Sequence, residues 1–253
     1  MTEGNGHDCP GCSAGNVLGF DFTMAFQPIV NMTTRTVFAH EALVRGLAGE
    51  GAPSILARVD AANRYAFDQA CRVRAIQLAT ELGMQSKLSI NFLPNAVYQP
   101  QACIRMTLAT ARRCGFPLDN IMFEVTEDER SADIPHLAAI FEEYERHGFT
   151  TAIDDFGAGY AGMQLLASFQ PGVIKVDMGL VRGIDSSRSR RAIVSGIVSI
   201  CRELDILVIA EGVETPAEFR VLRDLNIDHF QGYLFAKPAL AALPKVDWNT
   251  ALE

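Results

Sequence analysis

The sequence predicts an α/β fold, a TIM-like (β/α)8 barrel in which the first strand runs antiparallel to the rest. From about residue 20, short apolar runs rich in β-branched and aromatic residues alternate with longer amphipathic stretches, and eight such runs can be counted. The length of 253 residues suits one domain of this class. We place it at residues 20–245, between a flexible N-terminal tail at 1–19 and a C-terminal tail at 246–253.

The predicted strands follow one another at the spacing of βα units. They cover residues 22–30, 36–44, 88–92, 121–125, 150–153, 173–176, 207–210 and 228–234. Only residues 31–35 separate the first two strands, and this is too short for the crossover that parallel neighbours require. The first strand is therefore expected to run antiparallel to the second.

Helical patterns fill the intervals between these strands. Three helices are predicted at 162–168, 189–203 and 216–225, each leading into another strand. Three more predicted helices are each followed by glycine, the residue that most easily takes the left-handed conformation after a helix. These are residues 60–82, 101–114 and 134–147, followed by Gly83, Gly115 and Gly148.

Charge and composition narrow the class of protein. The net charge of −8 opposes non-specific binding of a polyanion, so we expect no DNA partner. No apolar run reaches eighteen residues and the N-terminus lacks a signal-peptide pattern, which predicts a cytoplasmic protein without a membrane partner.

Cys9 and Cys12, near His7, form half of a zinc pattern with no second pair at metal-site spacing. The alternatives to metal binding by these cysteines are a flexible tail and a segment that binds a partner protein.

Strand after strand ends its apolar run in an acid, an amide or a lysine. An acid at one strand end is more often a helix cap or a solvated loop residue. In a (β/α) barrel, however, the carboxyl ends of the strands converge on one face, which would gather these side chains around a single pocket. They are Glu41, Asn91, Glu124, Asp154, Asp155, Lys175, Glu211, Glu214 and Gln231.

The crowding of carboxylates predicts a metal site. Unscreened carboxylates about 4 Å apart repel by roughly 1 to 4 kcal/mol per pair, so the cluster requires cations. Oxygen ligands without Cys or His select hard ions such as Mg²⁺ or Mn²⁺, and the adjacent Asp154 and Asp155 suit two of them. Two such ions favour phosphoester hydrolysis. Lys175 could orient the attacking water or stabilise phosphate charge, and the alternative is that it is a structural partner of a carboxylate.

The chain resembles the EAL family of cyclic di-GMP phosphodiesterases through a series of motifs in the family's order. The resemblance covers roughly Phe22 to Pro238. The motifs read FQPIV, EALVR, SINFLPN, FEVTE, DDFGAGY, IKVD, AEGVET and QGYLFAKP. The loop DDFGAGYAG departs from the commoner family form, which has threonine after the first glycine and serines after the tyrosine. It is similar to variants in blue-light-regulated relatives.

The resemblance implies a role for each matching residue. Two divalent cations would be held by Glu41, Asn91, Glu124, Asp154 and Asp155. Lys175 and Glu211 would position or deprotonate the attacking water, with Glu41 as the third catalytic residue. The substrate would be bound or supported by Gln27, Leu43, Arg45, Glu214, Gln231 and Tyr233. A mobile loop coupling the metal site to a dimer interface would comprise Glu127 and residues 155–163, with Phe156, Gly157 and Gly159.

The resulting expectation is an enzyme that opens one bond of cyclic di-GMP to give linear pGpG. A homodimer is expected from the family. With little chain ahead of Phe22, signal input is expected through a sensor or regulator protein in trans. A cyclic di-GMP receptor or interaction module without turnover is the alternative, although such a module has little need of Lys175 and Glu211. An aldolase using Lys175 for a Schiff base would leave the oxygen cluster without a purpose.

Overall fold

The computed structural model describes residues 18–127, 134–159 and 162–249. The Cys9 and Cys12 motif and the end of the C-terminal tail, residues 250–253, lie outside the described residues. The strands of the described part are β1 Thr23–Asn31, β2 Thr36–Arg45, β3 Lys87–Asn91, β4 Ile121–Thr126, β5 Thr150–Phe156, β6 Val173–Val176, β7 Leu207–Ala210, β8 His229–Phe230 and β9 Ala239–Leu240.

These strands form one closed barrel. From β2 to β8 each strand pairs in parallel with the next. Strand β1 closes the ring, because it pairs antiparallel with both β2 and β8. The short turn at residues 32–35 joins β1 to β2 as the sequence predicts, with Arg35 at a positive φ of 54°. The prediction of an antiparallel first strand is confirmed.

Helices surround the barrel. They are α1 Ala52–Leu56, α2 Arg64–Glu81, α3 Pro100–Cys103, α4 Arg105–Cys114, α5 Ile134–Arg146, α6 Gly162–Ser168, α7 Met178–Val181, α8 Arg188–Glu203 and α9 Pro216–Asp224. The glycines predicted after three helices have φ of 66°, 70° and 84°. None of the helices in the described ranges has the length and apolar composition needed to cross a bilayer.

The observed elements differ from the predicted ones in several respects. The helix predicted over 101–114 runs as the two segments α3 and α4. Strand β8 has two residues rather than seven, because the chain turns at Gly232, where an added Cβ would overlap the backbone of Val213. The chain returns as β9, which the sequence did not predict, and pairs with β1. Val246 and Trp248 pack against the core rather than leaving the barrel.

The lower half of the barrel interior is filled by small and medium apolar side chains. Six buried residues from six strands form one compact cluster separate from the larger core outside the barrel, namely Ile29, Ala39, Met122, Ala152, Val173 and Ile209. We call this cluster the barrel plug. Since side chains alternate along a strand, the residue two positions from each plug member also points inward. The plug therefore forms the base for whatever chemistry lies above it.

Candidate active site at the carboxyl ends of the strands

A polar layer lies directly on the barrel plug. Its members are each two positions from a plug residue: Gln27, Glu41, Glu124, Asp154, Lys175 and Glu211. Strand register brings them together, because Gln27 lies opposite Glu41 and Asn91 lies opposite Glu124. The geometry brings together the strand ends that the sequence predicts to converge, since five of these residues lie on five different strands and Glu211 directly follows β7.

Lys175 lies at the centre of this layer. Its Nζ is 2.7 Å from Glu211 Oε1, 3.0 Å from Asp154 Oδ1, 3.2 Å from Glu124 Oε2 and 3.4 Å from Glu41 Oε2. The lysine side chain is fully buried. An ammonium group is stable at such depth only with paired anions, which these four carboxylates supply.

Amide and hydroxyl groups fix the orientation of the carboxylates. The Asn91 side-chain amide donates to Glu41 Oε1 and to Glu124 Oε1, both at 3.0 Å. Ser89 donates to Glu124 Oε2 at 2.7 Å, and Gln231 Nε2 donates to Glu41 Oε2 at 2.6 Å. These bonds hold the acids in one arrangement, so the centre is organised before any ligand arrives.

A β-bulge brings two consecutive acids to this centre. Between the pairs Ile153–Ile174 and Phe156–Val176, β5 has two residues, Asp154 and Asp155, where β6 has Lys175 alone. Asp155 takes a φ of 52°, a left-handed conformation that aspartate tolerates better than most residues. In a regular strand Asp155 would point away from Asp154. The bulge instead lets both carboxylates reach the same centre.

Burial and neighbouring charges together shift the pKa values of the groups at this centre. Burial alone would lower the pKa of Lys175, but the surrounding carboxylates, Asp154 foremost, raise it well above its ordinary value. Burial raises the pKa of Glu124 and Glu211 well above the ordinary range. Burial and the charges of Asp154 and Asp177 raise the pKa of Asp155 to about 6. One lysine therefore does not offset the charge of the cluster.

The cluster fits a hard divalent cation. Two groups of carboxylate oxygens, each within 4.8 Å of one another, share Asp154: one is Glu41, Glu124 and Asp154, and the other is Asp154, Asp155 and Glu211. All donors are oxygens, the type that Mg²⁺, Mn²⁺ and Ca²⁺ prefer. In addition, Gln231 Oε1 is buried without a hydrogen-bond partner in the described part of the chain.

A groove opens above the polar layer. It encloses a cavity of about 240 Å³ and is lined by residues that include the predicted Gln27, Leu43, Glu214, Gln231 and Tyr233. Tyr233 is half exposed at its rim. Leu43 also borders an apolar cavity of about 230 Å³ on its other side. The predicted Arg45 is not among the groove residues, and its guanidinium donates to the Val44 carbonyl oxygen at 2.7 Å.

Glu127 organises the predicted mobile loop. Its buried carboxylate accepts hydrogen bonds from the backbone N–H groups of Gly157 at 2.8 Å, Gly159 at 3.1 Å and Gly162 at 2.8 Å. Phe156 is buried beside them, and Gly157 has a φ of 97° that a side chain would strain. Residues 160 and 161 lie outside the described part. A regulatory role for this loop stays a prediction.

Three further residues at the site were not predicted from the sequence. Ser89 could have been found, since it lies two positions before Asn91 and shares its face. Arg182 lines the groove from the end of α7, and Glu218 supports the loop after β7 from within α9. Arg182 directly follows a helix and Glu218 lies within one, so no strand-end pattern marks either residue.

Comparison with known proteins identifies the family. The sequence model of the EAL domain matches residues 17–238, which is most of the chain. The chain belongs to the EAL domain family. The observed barrel is also that of the EAL structures it resembles. A crystal structure of a standalone versatile EAL protein from Vibrio cholerae O395, in its c-di-GMP-bound form, is 55% identical with a TM-score of 0.89, covering 91% of this chain and 98% of that chain.

Other EAL relatives are longer than this chain. The blue light- and temperature-regulated antirepressor BluF of Escherichia coli K12 is 32% identical over 98% of this chain and 61% of its own length. The cyclic di-GMP phosphodiesterase NbdA of Pseudomonas aeruginosa is 29% identical over 86% of this chain and 29% of its own length. Klebsiella pneumoniae BlrP1, in a manganese and cyclic di-GMP complex, is 36% identical with a TM-score of 0.85, covering 90% of this chain and 58% of that chain.

Proposed function

We propose that this EAL chain hydrolyses one phosphodiester bond of cyclic di-GMP to linear pGpG, with two divalent cations, Mg²⁺ or Mn²⁺, at the polar layer. The observation that carries the proposal is the arrangement around Lys175, where four carboxylates lie within 3.4 Å of its Nζ beneath an open groove. The c-di-GMP-bound Vibrio relative and the phosphodiesterase name of NbdA support the choice of substrate.

The exposure of each side chain to the groove indicates its role in the reaction. Lys175 and Glu124 have no exposed side-chain surface, whereas Asp154 and Glu211 are 11% and 12% exposed toward the groove. A lysine surrounded by carboxylates stays charged, so it donates hydrogen bonds and does not accept the proton of water. Glu211, held by Lys175, is the carboxylate placed to accept that proton.

The proposed reaction is the addition of one water molecule across one phosphodiester bond. Glu41, Asn91, Glu124, Asp154 and Asp155 would hold the ions, which when bound acidify water and offset phosphate charge. The water oxygen attacks phosphorus while Glu211 takes its proton. The phosphorus–O3′ bond breaks, the leaving O3′ accepts a proton from bulk water, and Glu211 returns its proton to solvent. The product is pGpG with a 5′-phosphate. The oxygen ligands and Glu211 thus all have a purpose in one step.

The deciding experiment is hydrolysis by the purified protein. We expect pGpG to form from cyclic di-GMP with Mn²⁺ or Mg²⁺, resolved by chromatography, and to vanish with EDTA. Glu41→Gln, which keeps the shape and removes one carboxylate, should lose at least a hundredfold of activity. Glu142→Gln is the matched control, because Glu142 is an acid on the exposed face of α5.

A second candidate is an interaction module that binds without turnover. It is favoured by BluF, which is named an antirepressor and matches 98% of this chain. Tight binding of cyclic di-GMP without pGpG, in the presence of Mn²⁺, would select this candidate over the enzyme.

A further inference from the structure

The groove above the metal centre is strongly acidic for a site that must accept a dianion. Four carboxylates line it, from Glu41, Asp154, Glu211 and Glu214, and within the described ranges Arg182 is the one cationic side chain that lines it. Cations at the polar layer would offset the three buried acids. Glu214 lies higher, with 41% of its side chain exposed, and its charge would repel a phosphate unless paired.

Arg182 is held in place from both sides. Its backbone N–H donates to the Met178 carbonyl oxygen at 2.8 Å, which ends helix α7. The next residue, Gly183, donates its N–H to the buried carboxylate of Glu218 at 2.8 Å. The guanidinium reaches the groove, where Nη2 lies 2.5 Å from Glu214 Oε1, and half of the side chain is exposed. The backbone is therefore fixed while the charged group stays accessible.

We infer that Arg182 binds the second, non-scissile phosphate of the substrate, an inference that rests on the proposed function. Cyclic di-GMP has two phosphodiesters, and only one of them lies at the metal centre during cleavage. A guanidinium has five N–H donors and binds phosphate through two parallel hydrogen bonds. Its contact with Glu214 uses one nitrogen and also cancels the nearest unpaired negative charge. Arg182 thus supplies affinity for a substrate with two phosphates.

Steady-state kinetics on four proteins test this inference: the wild type, Arg182→Gln, Arg182→Lys and Arg188→Gln. The Gln substitution at residue 182 should raise KM for cyclic di-GMP about tenfold with a much smaller change in kcat. The Lys substitution should recover part of the loss, because it keeps the charge but not the paired donors. Arg188 is exposed on the first turn of α8, outside the groove, so its variant is the matched control.

Two further measurements locate the contact. Hydrolysis of bis(p-nitrophenyl) phosphate, a diester with one phosphate, should change less than twofold in Arg182→Gln. Cyclic di-AMP, which keeps both phosphates and changes the bases, should show the same loss of affinity as cyclic di-GMP when used as a competitor. An unchanged KM for cyclic di-GMP would overturn the inference, and so would an equal loss of activity on cyclic di-GMP and bis(p-nitrophenyl) phosphate. A loss of affinity for cyclic di-GMP without a loss for cyclic di-AMP would also overturn it.

The inference can fail separately from the proposed function. If the wild type binds cyclic di-GMP without hydrolysing it, titration calorimetry with Mn²⁺ measures the affinity of wild type and Arg182→Gln directly. An approximately tenfold weaker Kd supports the phosphate contact even then, and an equal Kd overturns it.

Discussion

Individual residues at the centre carry more negative charge than their protein neighbours offset. Lys175 contacts four carboxylates, and Asp155 adds a fifth whose charge is opposed by Asp154 and Asp177. Such a cluster stores repulsion that a divalent cation relieves. The same charges that make the site suitable for metal therefore make the metal-free protein less stable.

This conflict predicts opposite effects of Asp155→Asn on stability and on activity. Asparagine tolerates the left-handed backbone of the bulge, so the fold should be retained. Removing the charge should raise the free energy of unfolding in EDTA by about 1 kcal/mol, since repulsion from Asp154 is lost. Activity with Mn²⁺ should fall at least a hundredfold. Urea unfolding and pGpG formation measure the two effects, and a destabilised variant would contradict the explanation.

His40 makes a pH-dependent contribution to the stability of the fold, away from the polar layer. It is buried on the outer face of β2, with Nδ1 2.8 Å from Ser86 Oγ, and burial lowers its pKa from 6.5 to about 4. The unfolded chain therefore binds the proton more strongly than the folded protein. Between pH 6.5 and 4 the stability contributed by neutral His40 is lost as the pH falls.

The expected loss is large enough to measure. Between pH 7.5 and 5 the wild type should lose about 2 kcal/mol relative to His40→Gln, because glutamine does not titrate. Urea unfolding of both proteins across this range gives the difference directly, and other titrating groups cancel in the comparison. Parallel pH curves for the two proteins would rule out this role for His40.

At the scale of elements, the site depends on alternation along strands and on one departure from it. The rule that side chains alternate explains why the polar layer lies two residues from the plug, and this could be predicted from sequence. The bulge could not be predicted from sequence, because the segment AIDDF is typical of a regular strand, in which Asp155 would point away from Asp154. Arg182 and Glu218 were missed because their roles depend on how helices α7 and α9 pack, which strand patterns do not contain.

The loop after β7 depends on one acid in the first turn of α9. Glu218 Oε2 accepts from the backbone N–H groups of Glu214 at 3.1 Å and Thr215 at 3.0 Å, while Oε1 accepts from Gly183. The carboxylate thus joins the loop that follows Glu211 to the segment that carries Arg182. Glu218 is a positioning residue by this geometry, and it does not line the groove.

Replacing Glu218 should affect stability and catalysis together. Glu218→Ala leaves three partly buried backbone N–H groups without their acceptor and should lower the free energy of unfolding by about 2 kcal/mol. Both kcat and KM should worsen, since the loop and Arg182 lose their shared support. Glu218→Gln keeps one oxygen acceptor and should recover part of each effect. Alanine kinetics equal to wild type would show that the loop is held by other contacts.

For the whole molecule, the alternation of short apolar runs with helical stretches predicted the barrel. The short turn between the first two strands predicted that β1 runs antiparallel to β2. The register at the closing strands did not, because β8 is only two residues long and β9 has no pattern that distinguishes it from a loop. The packing of Val246 and Trp248 likewise depends on distant surfaces. Local sequence predicts the regular units well and their closure poorly.

Metal should stabilise the entire fold. A ligand at a hundred times its Kd stabilises a protein by about 2.7 kcal/mol. For a chain of this size that shift corresponds to roughly 5 to 10 °C in Tm. We expect such a rise when Mn²⁺ is added to EDTA-treated protein, measured by thermal unfolding, and little rise in Glu124→Gln. Equal shifts in both proteins would place the metal elsewhere.

The antiparallel closure also has a consequence for folding during synthesis. Strand β1 completes its pairing only with β8 and β9, and Asn31 bonds to His229 across 198 positions of sequence. Until the last strands leave the ribosome, β1 presents one open edge, which costs loop entropy to close and invites pairing with other chains. The polar layer therefore forms late, and a truncated nascent chain would have a partial sheet without that layer.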